Sequence, residues 1–509
     1  MIKRRMFASA LVLSLALIGL SLPISGARAL DPDAASAYLQ SEMRDLRIPG
    51  IEAVIVSGEQ VVYAEGLGVA DGSGRAITPQ TPMLLGSVSK GITALAAMQL
   101  VEAGKLDLNA PVGRYLPWFR MAEGSRNIVP GAWTRITPRQ LLHHTSGISE
   151  YTGAKTWGSR YVGDDALERQ VRSFASYPLV HTPGEAFEYS NANYQILGLI
   201  VQTVSGQSYE SYIQEHIFGP LEMHHSYALA AQARDMAGGY RYWFGWPLPA
   251  PNLPVPRAHG PSAMLVSTAE DMGHYLIAQI NGGRYGDVQV LSARGMAELH
   301  CPAAAIGDGN SYAMGWVIEP DGSWFHNGET ASFTSGIRVE GQWGAFVVRN
   351  IAANQREQRL DEIAPGLLRL VRDETPERST LDPSFRRTMV ELGVLLVMQA
   401  VGVAWSLRRL LRWGQQPESA PKGTGRILMA VLPLLLIDLA LAALLWYMGP
   451  VSAHRTFSVQ ALSAPDQMLL LGANVALALI GALLQIIGVI GIRLGHNEIH
   501  ATQFGFRRN

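Results

Sequence analysis

The sequence predicts an α/β chain of the α+β kind: one antiparallel sheet built from both ends of a domain, flanked by helices, with a helical insert, followed by a three-helix transmembrane region. Three observations predict it. Runs rich in β-forming residues occur early, at 51–56 and 61–64, and again late, at 314–318, 332–339 and 343–348. Between 104 and 302 the chain is mostly helical segments and loops, without the regularly spaced strands of a parallel sheet. Three apolar stretches then follow, at 389–407, 427–448 and 468–492, each long enough to cross a bilayer core of about 30 Å as a helix.

Composition agrees. Hydrophobic residues make up 48% of the 509 residues and charged residues 16%, an excess that fits a membrane region beside a soluble domain. The formal net charge is -1 and no basic run carries interleaved aromatics, which argues against a nucleic-acid partner. Cys301 is the only cysteine, so an intrachain disulfide and a cysteine-based metal cluster are excluded.

Residues 1–29 read as a signal peptide. Lys3, Arg4 and Arg5 form a basic start, 7–22 an apolar core, and Ala27-Arg28-Ala29 a small-x-small cleavage site. Arg4 and Arg5 also partly match a twin-arginine signal, and an uncleaved anchor is the other alternative. A domain over 30–372 follows. Its first helix starts at Asp31-Pro32, a capping carboxylate with proline in the first turn, and stops before Pro49-Gly50. The runs at 51–56 and 61–64 form a hairpin around Ser57-Gly58-Glu59-Gln60. An apolar helix opening near Ser87 ends near Gly104, and 355–372 closes the domain as a helix. The polar segment 373–388, with Pro376 and Pro383, reads as a linker.

Arg408, Arg409, Arg412, Lys422 and Arg426 lie between the first two spans, and Arg493, Arg507 and Arg508 follow the third; the remaining loop carries Arg455. The positive-inside rule puts the first loop and the C-terminus in the cytoplasm and the domain outside, in agreement with the signal peptide. The expected location is a bacterial inner membrane, multi-pass, with the domain periplasmic or extracellular. Gln399, Asp438, Asn474 and Gln485 lie in the spans. They read as interhelical hydrogen-bonding groups, since three spans with one central acid make a poor transport pathway.

The chemistry centres on Gly86-Ser87-Val88-Ser89-Lys90. Residues three apart on a helix share a face, so the Ser87 hydroxyl and the Lys90 amine can meet. A serine needs a base to become a nucleophile, and a lysine serves if burial lowers its pKa. A second Ser-x-x-Lys at Ser419–Lys422 contains Pro421 and polar flanks and is not helical in pattern. Tyr189-Ser190-Asn191 supplies a phenol that can relay a proton and an amide that can hold a carbonyl. His326-Asn327-Gly328 is placed between the late strands, with a glycine that lets a substrate lie close to a strand edge. His143 and His144 read as loop-packing residues. Trp243, Trp246 and the prolines of 247–261 read as an exposed loop, a candidate rim for a substrate cleft.

Order and context connect these motifs. Residues 51–349 resemble the penicillin-recognising serine hydrolases, in particular the class C β-lactamase-like branch with its D,D-peptidases, D-aminopeptidases and esterases. The resemblance also covers 100–108, 136–147, 219–223 and 267–272. It implies that Ser87 is the nucleophile, Lys90 its base and Tyr189 the general acid/base. It further implies that Asn191 and His326 contact the substrate, and that the backbone N–H groups of Ser87 and Glu329, the residue after Gly328, form the oxyanion hole. No metal or organic cofactor is implied, and the partners are a small-molecule or peptide substrate and the membrane. One departure matters. His326 stands where β-lactamases mostly carry lysine, and a mostly neutral imidazole holds a substrate carboxylate poorly. This weakens a β-lactamase reading and leaves esterase and peptidase action open. The rival from another class is a non-catalytic or slowly deacylating sensor, against which stand the short cytoplasmic segments.

Overall fold

The computed structural model describes residues 30–124, 127–154, 157–251, 253–352, 360–376, 383–419, 421, 424–448 and 464–503. The expected signal peptide and Lys422, Arg455, Arg507 and Arg508 of the charge argument lie outside the described residues, as does the side chain of Arg493.

Helix α1 (Pro32–Leu46) opens under Asp31, whose carboxylate accepts the Asp33 N–H at 3.0 Å, and ends at Arg47 in a left-handed cap. The sheet has eight strands, all paired antiparallel: β1 (Gly50–Ser57), β2 (Gln60–Gly68), β3 (Ala304–Gly307), β4 (Asn310–Tyr312), β5 (Val317–Ile318), β6 (Trp324–Glu329), β7 (Thr334–Glu340) and β8 (Trp343–Arg349). Their order across the sheet is β2-β1-β8-β7-β6-β5-β4-β3, so the first and last strands of the domain meet in its interior. The pairing of β1 and β8 sets Ile51 against Arg349 and Ser57 against Trp343.

Side chains alternate across the sheet with period two. Ile51, Ala53 and Ile55 of β1 join Ala345 and Val347 of β8 under α1 and the closing helix α5 (Ile363–Val371). Val54 and Val56 join Phe346 and Val348 on the other face, in the larger core. That core holds α2 (Ser89–Glu102), α3 (Asn191–Ser205) and α4 (Ala269–Ile280). Helix α2 is buried on nearly every side, as its lack of a polar face requires.

Several elements differ from expectation. His326-Asn327-Gly328 lies inside β6 rather than between strands, because alternate residues His326 and Gly328 turn inward. The strand expected at 314–318 shrinks to β5, since Gly315 has φ +84° and the Met314 N–H bonds the Leu299 carbonyl. The strand expected from 332 starts at Thr334, after a loop in which the Thr330 hydroxyl oxygen accepts the Phe333 N–H at 3.0 Å. Residues 240–249 form a hairpin, Tyr240–Trp243 with Trp246–Pro249, and Ala258 to Pro261 are buried, so 247–261 is not an exposed loop.

After the domain come α6 (Pro383–Gln415), α7 (Thr424–Met448) and α8 (Pro465–Gln503). Helix α6 takes in the last residues of the expected linker. Among the described residues, two stretches, Arg387–Trp413 and Pro465–Gly488, have the length and composition to cross a membrane; the apolar stretch Val431–Tyr447 of α7 is shorter. Polar groups link the helices. Gln485 Nε2 donates to Ser406 Oγ at 2.8 Å, Arg409 donates to Gln485 Oε1 at 2.7 Å, and Asn474 donates to the Leu392 carbonyl at 3.2 Å.

Candidate active site

The fold brings three distant segments to one point. A short ribbon, Met83–Leu84 with Val266–Ser267, carries the chain toward α2. Ser335 Oγ donates to the Leu85 carbonyl at 2.6 Å, and the Leu85 N–H donates to the Leu265 carbonyl. Gly86 then turns with φ +56°. Ser87 sits in a 3-10 turn, Gly86–Val88, just before α2 rather than within it. Two glycines allow β6 to press against this turn. A Cβ on Gly86 would lie 2.4 Å from the Glu329 nitrogen, and one on Gly328 would lie 2.1 Å from the Leu85 carbonyl oxygen and 3.0 Å from the Ser87 nitrogen. The amides of Ser87 and Glu329 are thereby neighbours.

Lys90 is wholly buried, and burial drives its pKa well below the ordinary 10.5. Its Nζ has three neutral neighbours: Asn191 Oδ1 at 2.8 Å, the Ser262 carbonyl at 2.8 Å and Ser87 Oγ at 2.9 Å. A neutral amine has two N–H donors and one lone pair. The amide oxygen and the carbonyl can only accept, so they take both N–H groups. The lone pair is left for the Ser87 hydroxyl.

Tyr189 reaches the same Ser87 Oγ from the other side at 2.9 Å. Burial raises its pKa far above the ordinary 10.0, so it is a protonated donor. His144 holds this segment in place. Its Nδ1 accepts from the Ser190 N–H at 3.1 Å and from Asn193 Nδ2 at 2.8 Å, and its ring centre lies 4.4 Å from that of Tyr189. His143 and His144 are both buried, as packing residues should be.

His326 is neutral. Burial is the chief cause, and its pKa falls to about 3. Its Nδ1 lies 2.6 Å from the Asn327 carbonyl, which only accepts, so Nδ1 carries the proton. Nε2 then accepts from the Tyr312 hydroxyl at 3.1 Å. Both ring nitrogens are engaged within the protein.

Ser87, Tyr189, Asn191, His326, Gly328 and Glu329 all line one cavity of about 420 Å³. Sequence reasoning missed four contributors. The Ser262 carbonyl is backbone and leaves no side-chain signal. Tyr312, Glu150 and Asp361 reach the cavity wall from separate elements. Glu150, Glu329 and Asp361 make the wall acidic, and no lysine or arginine is among the described lining residues. Arg338, the nearest downstream cation, lies outside this wall and is paired with Glu319 and with Glu340, the latter at 2.6 Å. Among the described residues no cluster of three or more His, Cys, Asp or Glu could hold a metal ion.

Comparison with known proteins agrees with this geometry. Residues 35–368 match the family described as Beta-lactamase. Protein flp of Staphylococcus aureus (strain MW2) is 30% identical over 322 residues, and the match spans 62% of this chain and 62% of that relative. Penicillin-binding protein 4 of Amycolatopsis lactamdurans is 32% identical over 306 residues, 57% of this chain and 77% of that protein. The octameric penicillin-binding protein homologue from Pyrococcus abyssi is 27% identical, with a TM-score of 0.58 over 71% of this chain and 81% of its own. EstCE1, a hydrolase with promiscuous acyltransferase activity, shares the fold at 21% identity, with a TM-score of 0.56 over 67% of this chain and 98% of its own. The family match covers well over half of the chain and includes every residue of the cavity wall, so this protein belongs to the β-lactamase family of penicillin-binding-protein-type serine hydrolases.

Proposed function

We propose that this chain is a membrane-tethered, extracytoplasmic serine hydrolase that acts on esters or amides through an acyl-enzyme on Ser87. The observation that carries the reading is the hydrogen-bond count at Lys90, which leaves its lone pair aimed at the Ser87 hydroxyl. Lys90 takes the Ser87 proton as Oγ attacks the substrate carbonyl carbon. The backbone N–H groups of Ser87 and Glu329 receive the developing oxyanion, each such donor contributing about 2.7–4 kcal/mol. Tyr189 donates its proton to the leaving group as the carbonyl bond to it breaks. Asn191 holds the acyl side chain. Water then attacks the carbonyl carbon of the ester on Ser87, its proton passing to the Tyr189 phenolate; the bond to Oγ breaks, Lys90 returns its proton to Oγ, and the acid leaves.

The acidic cavity wall and the neutral His326 favour substrates without a carboxylate near the scissile bond. Esters and uncharged amides therefore rank above D-Ala-terminated peptides and β-lactams. Tethering rests on the three apolar segments at 389–407, 427–448 and 468–492, on the signal-like residues 1–29, and on the outward apolar face of α6, where Val397, Met398 and Val401 are exposed. The linker, on this reading, is the short segment before α6.

A fluorophosphonate probe tests the assignment in membranes. Wild type should label and Ser87→Ala should not; equal labelling of the two would sink Ser87 as nucleophile. Rapid multiple turnover of simple esters separates an enzyme from a slowly deacylating sensor, which would accumulate a stable adduct.

A further inference from the structure

The hairpin at 240–249 has no part in the cavity wall, yet its tip carries exposed apolar side chains close together. Trp243 pairs with Trp246 across a two-residue turn of Phe244 and Gly245. Both central residues have positive φ, +50° and +84°, the pattern of a type I′ turn. Asparagine or glycine suits the first of these positions, and a bulky residue there is strained. The chain places phenylalanine in it. Phe244, Trp246 and Leu248 are 50%, 61% and 47% exposed, three large apolar side chains on one short ribbon.

The tip is also tied to α8. The Phe244 N–H donates to Asp466 Oδ2 at 3.0 Å, and Asp466 is fully buried in the first turn of that helix. The apolar stretch of α8 starts at this same turn, at Pro465. The hairpin tip therefore lies level with the end of the stretch that would cross the membrane. Arg47 completes the group: its guanidinium stacks 3.9 Å over the Trp246 ring and donates to the Gly245 carbonyl at 3.0 Å. Tryptophan and arginine side by side at the end of a span are the residues that anchor proteins in the headgroup layer.

We propose that the hairpin tip is a lipid-contact element. Phe244, Trp246 and Leu248 enter the interfacial layer of the bilayer that α8 crosses, and Arg47 meets lipid phosphates. The inference rests on the membrane-tethered reading. It adds that the hydrolase domain is docked on the bilayer at a fixed orientation, rather than suspended from a free linker.

The test uses the full chain with Cys301, the free and exposed thiol, replaced by alanine. Phe244→Cys, Trp246→Cys, Leu479→Cys and Val129→Cys are made singly in it, labelled with bimane, and reconstituted in phosphatidylethanolamine/phosphatidylglycerol vesicles. Leu479 faces outward on α8 and Val129 lies on the exposed surface of the helical insert. Labels at 244 and 246 should lose fluorescence to shallow doxyl lipids and be shielded from aqueous iodide. The label at 479 should respond most to deep doxyl lipids, and that at 129 to iodide alone. If 479 responds to lipid while 244 and 246 behave like 129, the hairpin proposal is overturned and the tether stands. If 479 also ignores the doxyl lipids, the membrane reading fails and the proposal with it.

Discussion

Lys90 and Tyr189 converge on one oxygen: each places its polar atom 2.9 Å from Ser87 Oγ, with the Lys90 nitrogen 4.8 Å from the centre of the Tyr189 ring. Lys90 has its N–H groups occupied and faces Ser87 with a lone pair. Tyr189 faces it with a proton. The proposed division of labour between base and acid rests on that asymmetry.

Lys90 should therefore set the acid limb of the pH–rate profile. Activity falls as pH drops through its lowered pKa, because the protonated amine cannot accept from Ser87. Stability carries the same signature. Between that lowered value and 10.5 the unfolded chain holds a proton that the folded chain lacks, so stability rises with pH across the window. Lys90→Met should abolish esterase turnover and flatten this rise. Denaturant melts of both proteins across the window check the second point; an unchanged slope would contradict a neutral Lys90.

Tyr189→Phe removes the donor and keeps the ring. Turnover should fall by roughly a hundredfold to ten-thousandfold, the usual worth of general acid/base catalysis. Esters with good leaving groups, which need little protonation, should lose least. A uniform loss across leaving groups in steady-state assays would show that Tyr189 only packs.

His326, with a pKa lowered to about 3, stays neutral at working pH. Turnover of a neutral ester should thus show no inflection near the ordinary histidine value. A D-Ala-terminated peptide should be a poor substrate for wild type and a better one for His326→Lys. A pH series on both substrates decides it, and a wild type that prefers the carboxylate peptide at neutral pH would move the assignment to a D,D-peptidase.

Gly86→Ala tests the close approach of β6 to the Ser87 turn. The residue sits at φ +56°, and a methyl group would strike the Glu329 nitrogen. Strain alone should cost about 1–3 kcal/mol. Ester turnover should fall further than stability does, since the Ser87 and Glu329 amides are pushed apart. Melting curves and kcat measured side by side give the comparison.

The motifs that meet at the candidate site were legible because each packs its polar groups into a few adjacent residues. Ser87 and Lys90 are three apart, and Tyr189 and Asn191 are two apart. Ser262 was invisible because its contribution is a backbone carbonyl, which any residue supplies. Tyr312 was invisible because its partner, His326, became one only when β4 and β6 took their places on the same sheet. Strand β6 itself was hidden by Asn327-Gly328, a pair that favours turns; the alternation of His326 and Gly328 toward the interior was the available signal. The sheet's use of both chain ends showed in the sequence because β1 and β8, buried on both faces, are mostly apolar runs, interrupted by Glu52 in β1 and closed by Arg349 in β8.

The pairing of Ile51 with Arg349 also sets a timetable. A ribosome adds about 5–20 residues each second, so about 240 residues, or roughly 12–48 s of synthesis, separate Ser87 from Glu329. Throughout that interval Ser87 exists without the strand that carries Glu329, and β1 waits with one edge unpaired. On the proposed mechanism the site is latent until its last strand arrives. A chain cut before residue 349 leaves β1 with an open, sticky edge rather than a smaller copy of the site.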